Sequence, residues 1–432
     1  MASRTRIISQ SKALYVTPTG ILPSSNDTDN TPAGTKELSG ILAQQLHRVD
    51  TFSFDIDLAG ARQDVREFGQ LARIGTLTMS ELNPTFSLGY FLGNGENEGL
   101  LGFDTDGITQ TAGSDHALSS QFISGIITED KAKREKNLFA LTVAEGEDAF
   151  SPFDDGTAGA AGRDKFTPTQ SATHDVVSFG NCTFNSYTVN FAVGEIPRVD
   201  IEGEAQNIAF TEGSQGGSSG LYNPSINKDG ARADTGQLVL PIPSTGDMDV
   251  LVLRPEDVTL SFSRNEFDLG GTNLADMHVQ SASIEVPMSR GNISALGAER
   301  AVAKPLEFPI NVTMSVSAIL KNVHKGALDM VLTGVAGDQT TNATINVTNN
   351  DGGTLSHVFT LQKAVLDSQN FAIGIDDNET IDMTFSAQIG GPDTTDQGLF
   401  YSGVSPQNKI FDDVSVYPVN RLYAKANDKA PY

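Results

Sequence analysis

The sequence predicts a mainly β protein made of two duplicated domains, each a β-sandwich or part of a barrel carrying one short α-helix. Three observations predict it. First, Ala61–Leu92 aligns without a gap on Ser289–Leu320, 228 positions later, with Arg62 on Arg290, Gly69 on Gly297, Asn83 on Asn311, Thr85 on Thr313, Ser87 on Ser315 and Leu92 on Leu320. Second, a further block lies 182 positions apart and puts Ser186 on Ser368, Asp200 on Asp382 and Ala205 on Ala387. Two blocks in the same order read as two copies of one domain. Third, several segments alternate apolar and polar residues with period two, the pattern of a half-buried strand.

In chain order, Val49–Leu58 places Phe52, Phe54, Ile56 and Leu58 on one face and Thr51, Ser53, Asp55 and Asp57 on the other. Its counterpart Val279–Met288 turns Ala282, Ile284, Val286 and Met288 inward and Ser281, Ser283 and Glu285 outward. Arg62–Phe68 and Arg290–Leu296 then read as short helices, each stopped by a glycine, Gly69 or Gly297, able to take a left-handed cap. Long strands follow at Leu82–Leu92 and Ile310–Leu320. Later, Thr183–Val193 with Arg198–Gln206 reads as a hairpin, matched by Val365–Ile375 with Thr380–Gln388.

These segments divide the chain into an N-terminal tail (1–14), a first domain (15–211), a Gly/Ser-rich linker (212–236), a second domain (237–401) and a polar C-terminal tail (402–432). The first domain holds two long inserts, 93–120 and 145–175, whose Gly, Asp and Thr content reads as loops.

Composition narrows the function. With 29 basic against 54 acidic side chains the net charge is −25, which argues against tight binding of nucleic acid or anionic membranes. The single cysteine, Cys182, rules out an internal disulfide and fits assembly in a reducing compartment. Met1–Gln10 has arginines but no apolar core after them, so no secretory signal is expected. No run approaches the roughly 20 apolar residues of a membrane helix. Tryptophan is absent.

Catalytic motifs are missing from the pattern. The six histidines, His47, His116, His174, His278, His324 and His357, form no HExxH motif and no Cys/His cluster. Neither a nucleophile elbow nor a phosphate or dinucleotide loop stands in a suitable context. The acid pairs Asp154-Asp155 and Asp376-Asp377 lie in loop-like surroundings, and Lys131–Lys136 reads as a solvated turn or helix, or a contact patch in an assembly. The expectation is a protein without enzymatic activity, metal or cofactor. What does recur is acid on the polar strand face: Asp55, Asp57 and Glu285 in one strand pair, Asp200, Glu202, Glu204 and Asp382 in the other. An antiparallel sheet facing solvent is one explanation. The other is a surface lining something that must not stick to it.

Four stretches carry a resemblance: VDTFSFDIDLAGARQDVREFGQ at Val49–Gln70, VQSASIEVPMSRGNISALGA at Val279–Ala298, FPINVTMSVSAIL at Phe308–Leu320 and LVLRPEDVTLSF at Leu251–Phe262. Together they span 67 of the 432 residues. In order and type they resemble the tail tube proteins of long-tailed bacteriophages, and the duplication is similar to the members that carry two fused tube domains. The resemblance implies a virion protein assembled in the host cytoplasm, forming trimeric, pseudo-sixfold rings that stack into a hollow tube. It implies partners to match: further copies of the same chain, a tape-measure protein and passing DNA in the lumen, and terminator and distal tail or baseplate proteins at the ends. No membrane partner is implied. Under it, Asp55, Asp57, Glu285, Asp200, Glu202, Glu204 and Asp382 are candidates for the lumen wall, where acid repels phosphate. A tail terminator or baseplate tube protein of the same fold, or a β-rich adhesin, are the competing expectations.

Overall fold

The computed structural model describes residues 12–18, 44–57, 62–78, 83–93, 95–109, 117–127, 135–142, 165–166, 175–211, 224–225, 240–241, 258–262, 278–294, 296, 301, 303–319, 340–348, 355–372, 380–391 and 394–403. The protein is mainly β. Its first half contains β1 (Lys12–Pro18), β2 (Gln44–Gln45), β3 (Val49–Asp55), β4 (Arg62–Val65), β5 (Gly75–Thr78) and β6 (Thr85–Phe91). After helix α1 (Glu96–Leu101) come β7 (Ile108–Thr109), β8 (Ala117–Leu118) and helix α2 (Ser124–Ile127). Then follow β9 (Lys136–Thr142), β10 (Lys165–Phe166), β11 (Asp175–Ala192), β12 (Arg198–Glu204) and β13 (Asn207–Thr211). Beyond β14 (Leu240–Pro241), the second half contains β15 (Val258–Phe262), β16 (His278–Pro287), β17 (Asn311–Ile319), β18 (Thr341–Thr348), β19 (Leu355–Ala372), β20 (Thr380–Gln388) and β21 (Gly398–Ser402).

Strand pairing repeats between the halves. β1, β9, β11 and β13 lie side by side, as do β15, β18, β19 and β21. In the second layer β3, β6, β12 and β11 are neighbours, as are β16, β17, β20 and β19. The match extends to irregularities. β3 is bulged between Val49 and Thr51, β16 between Val279 and Ser281; β11 between Phe184 and Ser186, β19 between Leu366 and Ser368.

One strand in each half, β11 and β19, has 18 residues and serves both layers. At the changeover each takes a left-handed residue, Asn181 (φ 51°) and Lys363 (φ 52°). A non-glycine residue in that region is sterically disfavoured and needs support. The support is the same twice: the Asn181 N–H donates to Asn137 Oδ1 at 3.1 Å, and the Lys363 N–H to Asn342 Oδ1 at 3.1 Å. Asn137 and Asn342 sit at equivalent positions, one residue before Leu138 and Ala343, which face Phe179 and Leu361.

The core lies between the layers. Inward residues such as Phe86, Leu88, Val199, Ile201, Tyr187 and Val189 of the first half join Ile284, Val286, Met314, Val316, Met383 and Phe385 of the second in one buried cluster. The halves are joined along β11 and β16, antiparallel from Ser186 opposite Pro287 to Ala192 opposite Ser281.

Several expectations need correction. Arg62–Phe68 and Arg290–Leu296 are not helices. The first is the outer limb of a hairpin, β4 against β5, and the second is extended, with bridges from Arg290 to Leu306 and Ile293 to Ala303. Val65, Phe68 and Leu71 have helical spacing but no core beneath them, so the limbs pair with each other instead. Gly69 does adopt a left-handed conformation (φ 90°), but in the hairpin turn, where the Gln70 N–H donates to Glu67 O. Helix α1 occurs instead within the 93–120 insert expected to be loop, and α2 just after it. α1 is flanked by Gly95 and Gly102, both left-handed, and buries Asn97, Glu98, Leu100 and Leu101. Lys136, the last residue of the run expected to be a solvated turn or helix or a contact patch, is instead buried in β9 opposite Cys182. The expected N-terminal tail joins the fold at Lys12–Leu14, the start of β1, with Leu14 buried. Residues 1–11 and 404–432, most of the linker and most of 145–175 lie outside the described residues, as do Asp154, Asp155, Asp376 and Asp377.

Candidate functional site: a polar sheet face, two open edges and two apolar arms

Eight strands, in the order β3, β6, β12, β11, β16, β17, β20, β19, form one continuous sheet across both halves. Cross-strand partners share a face, so the register reads out its surface. One row runs Thr51, Gly89, Asp200, Thr188, Glu285, Thr313, Ser386. The next contains Ser53, Ser87, Glu202 and Ser186; another, Asn190, Ser283, Ser315, Thr384 and Ser368. The opposite face is the core. A face of small hydroxyls and acids offers no apolar grip, and eight strands about 4.8 Å apart make it roughly 38 Å wide.

The acids singled out above fall here in different states. Asp55 is exposed opposite Thr85, and Asp57 is exposed just past the end of β3. Glu202 is exposed between Ser87 and Ser186, Glu285 between Thr188 and Thr313, and Asp382 between Ser317 and Asn370. Asp200 and Glu204 are half-buried and neutralised. Asp200 Oδ1 accepts from Arg198 Nε at 2.9 Å, and Glu204 Oε1 lies 3.0 Å from Nζ of the buried Lys304. Lys304 escaped the sequence reading because it comes from the second arm, far away in the chain. Among the described residues of this face, Arg198 is the base standing against these acids. It also reaches β3, donating from Nη1 to Asp50 Oδ2 (2.7 Å) and from Nη2 to Thr51 Oγ1 (2.8 Å). Gly89 lies beneath it, where a Cβ would collide with both Arg198 and Thr51.

Among the described residues the sheet ends in two open edges: there β3 pairs with β6 alone, and the second half of β19 with β20 alone. Open edges invite another strand. These two are the counterparts of the strands that join inside the chain: by register β3 corresponds to β16 and the second half of β19 to that of β11.

Apolar side chains project from the arms. Phe68 and Leu71 at the first tip and Leu296 on the second are fully exposed, with Val65, Ile74, Leu77 and Ile293 exposed behind them. Along the first arm Arg73 pairs with Asp64 at 3.2 Å. Exposed apolar surface of this concentration marks a contact site.

Among the described residues no group of three or more His, Cys, Asp or Glu side chains is placed to hold a metal ion, and no helix is long and apolar enough to cross a membrane. No family model matches the chain, and no curated relative does. A solved structure described as the anti-feeding prophage (AFP) baseplate, 6-fold symmetrised by cryo-EM, is similar over 30% of this chain and 80% of its own, at 15% identity and a TM-score of 0.22. A likeness at that score carries no argument.

Proposed function

We propose that this chain is a structural virion protein, a tail tube subunit of a long-tailed bacteriophage that closes head-to-tail into rings and stacks into a hollow tube conducting DNA. One observation carries the reading: the joint made by β11 and β16 within the chain leaves its two counterparts, β19 and β3, open at opposite ends of the same sheet. An interface that joins one end to the other repeats until its rotation closes. The internal joint also supplies the register. Thr188 faces Glu285 inside the chain. Their counterparts are Asn370 (which pairs with Asp382 as Thr188 does with Asp200) and Asp55 (which pairs with Thr85 as Glu285 does with Thr313). Asn370 of one chain therefore faces Asp55 of the next, and Ala372 faces Ser53.

Three chains joined this way would make a barrel of about 115 Å circumference, some 37 Å across before strand tilt. Its inner face would be the hydroxyl and acid surface, which repels phosphate and lets DNA slide. The apolar arms would stand clear of the sheet to meet the next ring. The chain would reside in the virion tail, with a tape-measure protein in its lumen and terminator and distal tail or baseplate proteins at its ends. It would need no cofactor and perform no catalysis.

The test uses the lone, buried Cys182 as a silent background. Cysteines at Asn370 and Asp55 in one chain should give covalent multimers ending at a closed trimer under mild oxidation, while a Thr188→Cys, Glu285→Cys chain should cross-link only internally. Multimers absent from tubes or rings seen by electron microscopy would reject this register. A chain that stays monomeric throughout would reject the assembly.

A further inference from the structure

Glu98, on α1, is fully buried where the insert of the first half meets the last strand of the second. The contact is extensive: the Phe122 N–H donates to Leu399 O at 2.8 Å, the Gly403 N–H to Thr105 O at 3.0 Å, and Gln121 Nε2 reaches the carbonyls of Gly391, Thr394 and Gln397. Phe122 packs edge-on to both Tyr187 and Tyr401, and Gly95, capping α1, lies under the Tyr401 hydroxyl. Within this contact Tyr90 donates its hydroxyl to Glu98 Oε1 at 2.9 Å. Glu98 Oε2 and the Tyr187 hydroxyl are both buried without a hydrogen bond of good geometry, though the two groups interact. No ion pair to Glu98 exists among the described residues. A buried carboxylate with no cation is costly, and a carboxylic acid there is not.

We infer that Glu98 is a pH-responsive element of this chain: held as a neutral acid, it keeps the insert locked to β21, and its ionisation loosens that lock. The inference stands apart from the assembly reading, because every contact lies within one chain.

The groups facing Glu98 leave the response to it. Burial raises the carboxyl to about 7, against the bonds from its own backbone, Tyr90 and Tyr187. Tyr90 on β6, Tyr187 on β11 and Tyr401 on β21 are all pushed well above the ordinary tyrosine range by burial and by Glu98. His357 on β19, whose Nδ1 lies 2.6 Å from the Tyr401 hydroxyl, is lowered to about 4 by burial and stays neutral. His47, lowered by burial and by Arg48, titrates only on the acid side of an ordinary histidine, and Arg48 remains charged. Glu96 shares the helix but is only half-buried.

The sign follows. Below about pH 4.5 the acid is neutral whether the lock is closed or open. Between about 4.5 and 7 the open form sheds its proton first, so closure weakens as pH rises, and above 7 the deficit is constant. Those two values imply a loss of closure of roughly 70-fold between pH 5 and pH 8.5.

Hydrogen exchange on the intact chain tests this through the protection factors of the Phe122, Tyr401 and Gly403 amides. They should fall by tens of fold from pH 5 to pH 8.5, while amides of the β11–β16 joint hold. In Glu98→Gln the fall should disappear. In Tyr90→Phe, which removes a donor that favours the anion, the midpoint should move to higher pH. A flat profile in the unmodified chain would overturn the inference whatever the variants do. So would an unmoved slope in Glu98→Gln or an unmoved midpoint in Tyr90→Phe.

Discussion

The two halves share strand order, bulges and left-handed residues, yet differ in what covers them. Tyr401 on β21 is buried beneath the first insert; by register its counterpart on β13 is Phe210, which is exposed. β16 is paired on both sides, and its counterpart β3 on one. At these two places a bare position in the first half matches a covered one in the second, while the exposed arms are bare in both, Phe68 and Val65 matching Leu296 and Ile293. Similar surfaces in two states of cover suggest a covering interaction general to the fold, and under the proposed assembly the bare copies are where a neighbouring chain would sit.

That comparison breaks most sharply at the edge. Phe54→Pro on β3 should leave the chain folded but stop ring formation, seen by sedimentation, because proline cannot donate to a new ladder. The counterpart Ile284→Pro, within the internal joint, should prevent folding. Next come the arms: Phe68→Ser with Leu71→Ser should allow rings but not long tubes by electron microscopy, with Tm little changed, since these side chains touch nothing within the chain. Phe210→Asp should weaken assembly several-fold without altering the circular dichroism spectrum, whereas Tyr401→Asp should unfold the junction. Asn137→Ala should cost about 1–3 kcal/mol in denaturant titrations, by orphaning the buried N–H of a left-handed residue, and Asn342→Ala should cost less, because the Lys363 N–H is exposed and can turn to water. Arg198→Ala should be smallest, below about 1 kcal/mol, because its ion pairs are partly exposed. It should fray β3, measurable by hydrogen exchange.

The strands were legible because burial on one face writes period two into the residues. Phe52 to Ile56 and Ile284 to Met288 show it directly, and the acids of the polar face could be placed from the same alternation. The arms were misread for a physical reason: apolar spacing of three and four reports a helix only when something lies beneath it. Val65, Phe68 and Leu71 have solvent there. The insert was misread in the opposite sense. Its glycines suggested a loop, but Gly95 and Gly102 bracket a short helix whose Leu100, Leu101 and Phe103 enter the core. Asn137 and Asn342 carry no local signal, since each serves a backbone N–H on another strand. Only aligning β9 on β18, a third repeated block too degenerate to stand alone, would have exposed them. The pairing of Glu204 with Lys304 was hidden by distance along the chain.

The 18-residue strand β11 belongs to both layers of its own half and, through β16, to the other half as well. It cannot be removed without unmaking four ladders at once, with β9, β12, β13 and β16. The halves therefore lack the independence that tandem domains on a tether usually enjoy. Heating should melt them in a single calorimetric transition, with the van't Hoff enthalpy equal to the measured one for the whole chain. In melting, the duplicated protein should behave as one cooperative unit rather than two.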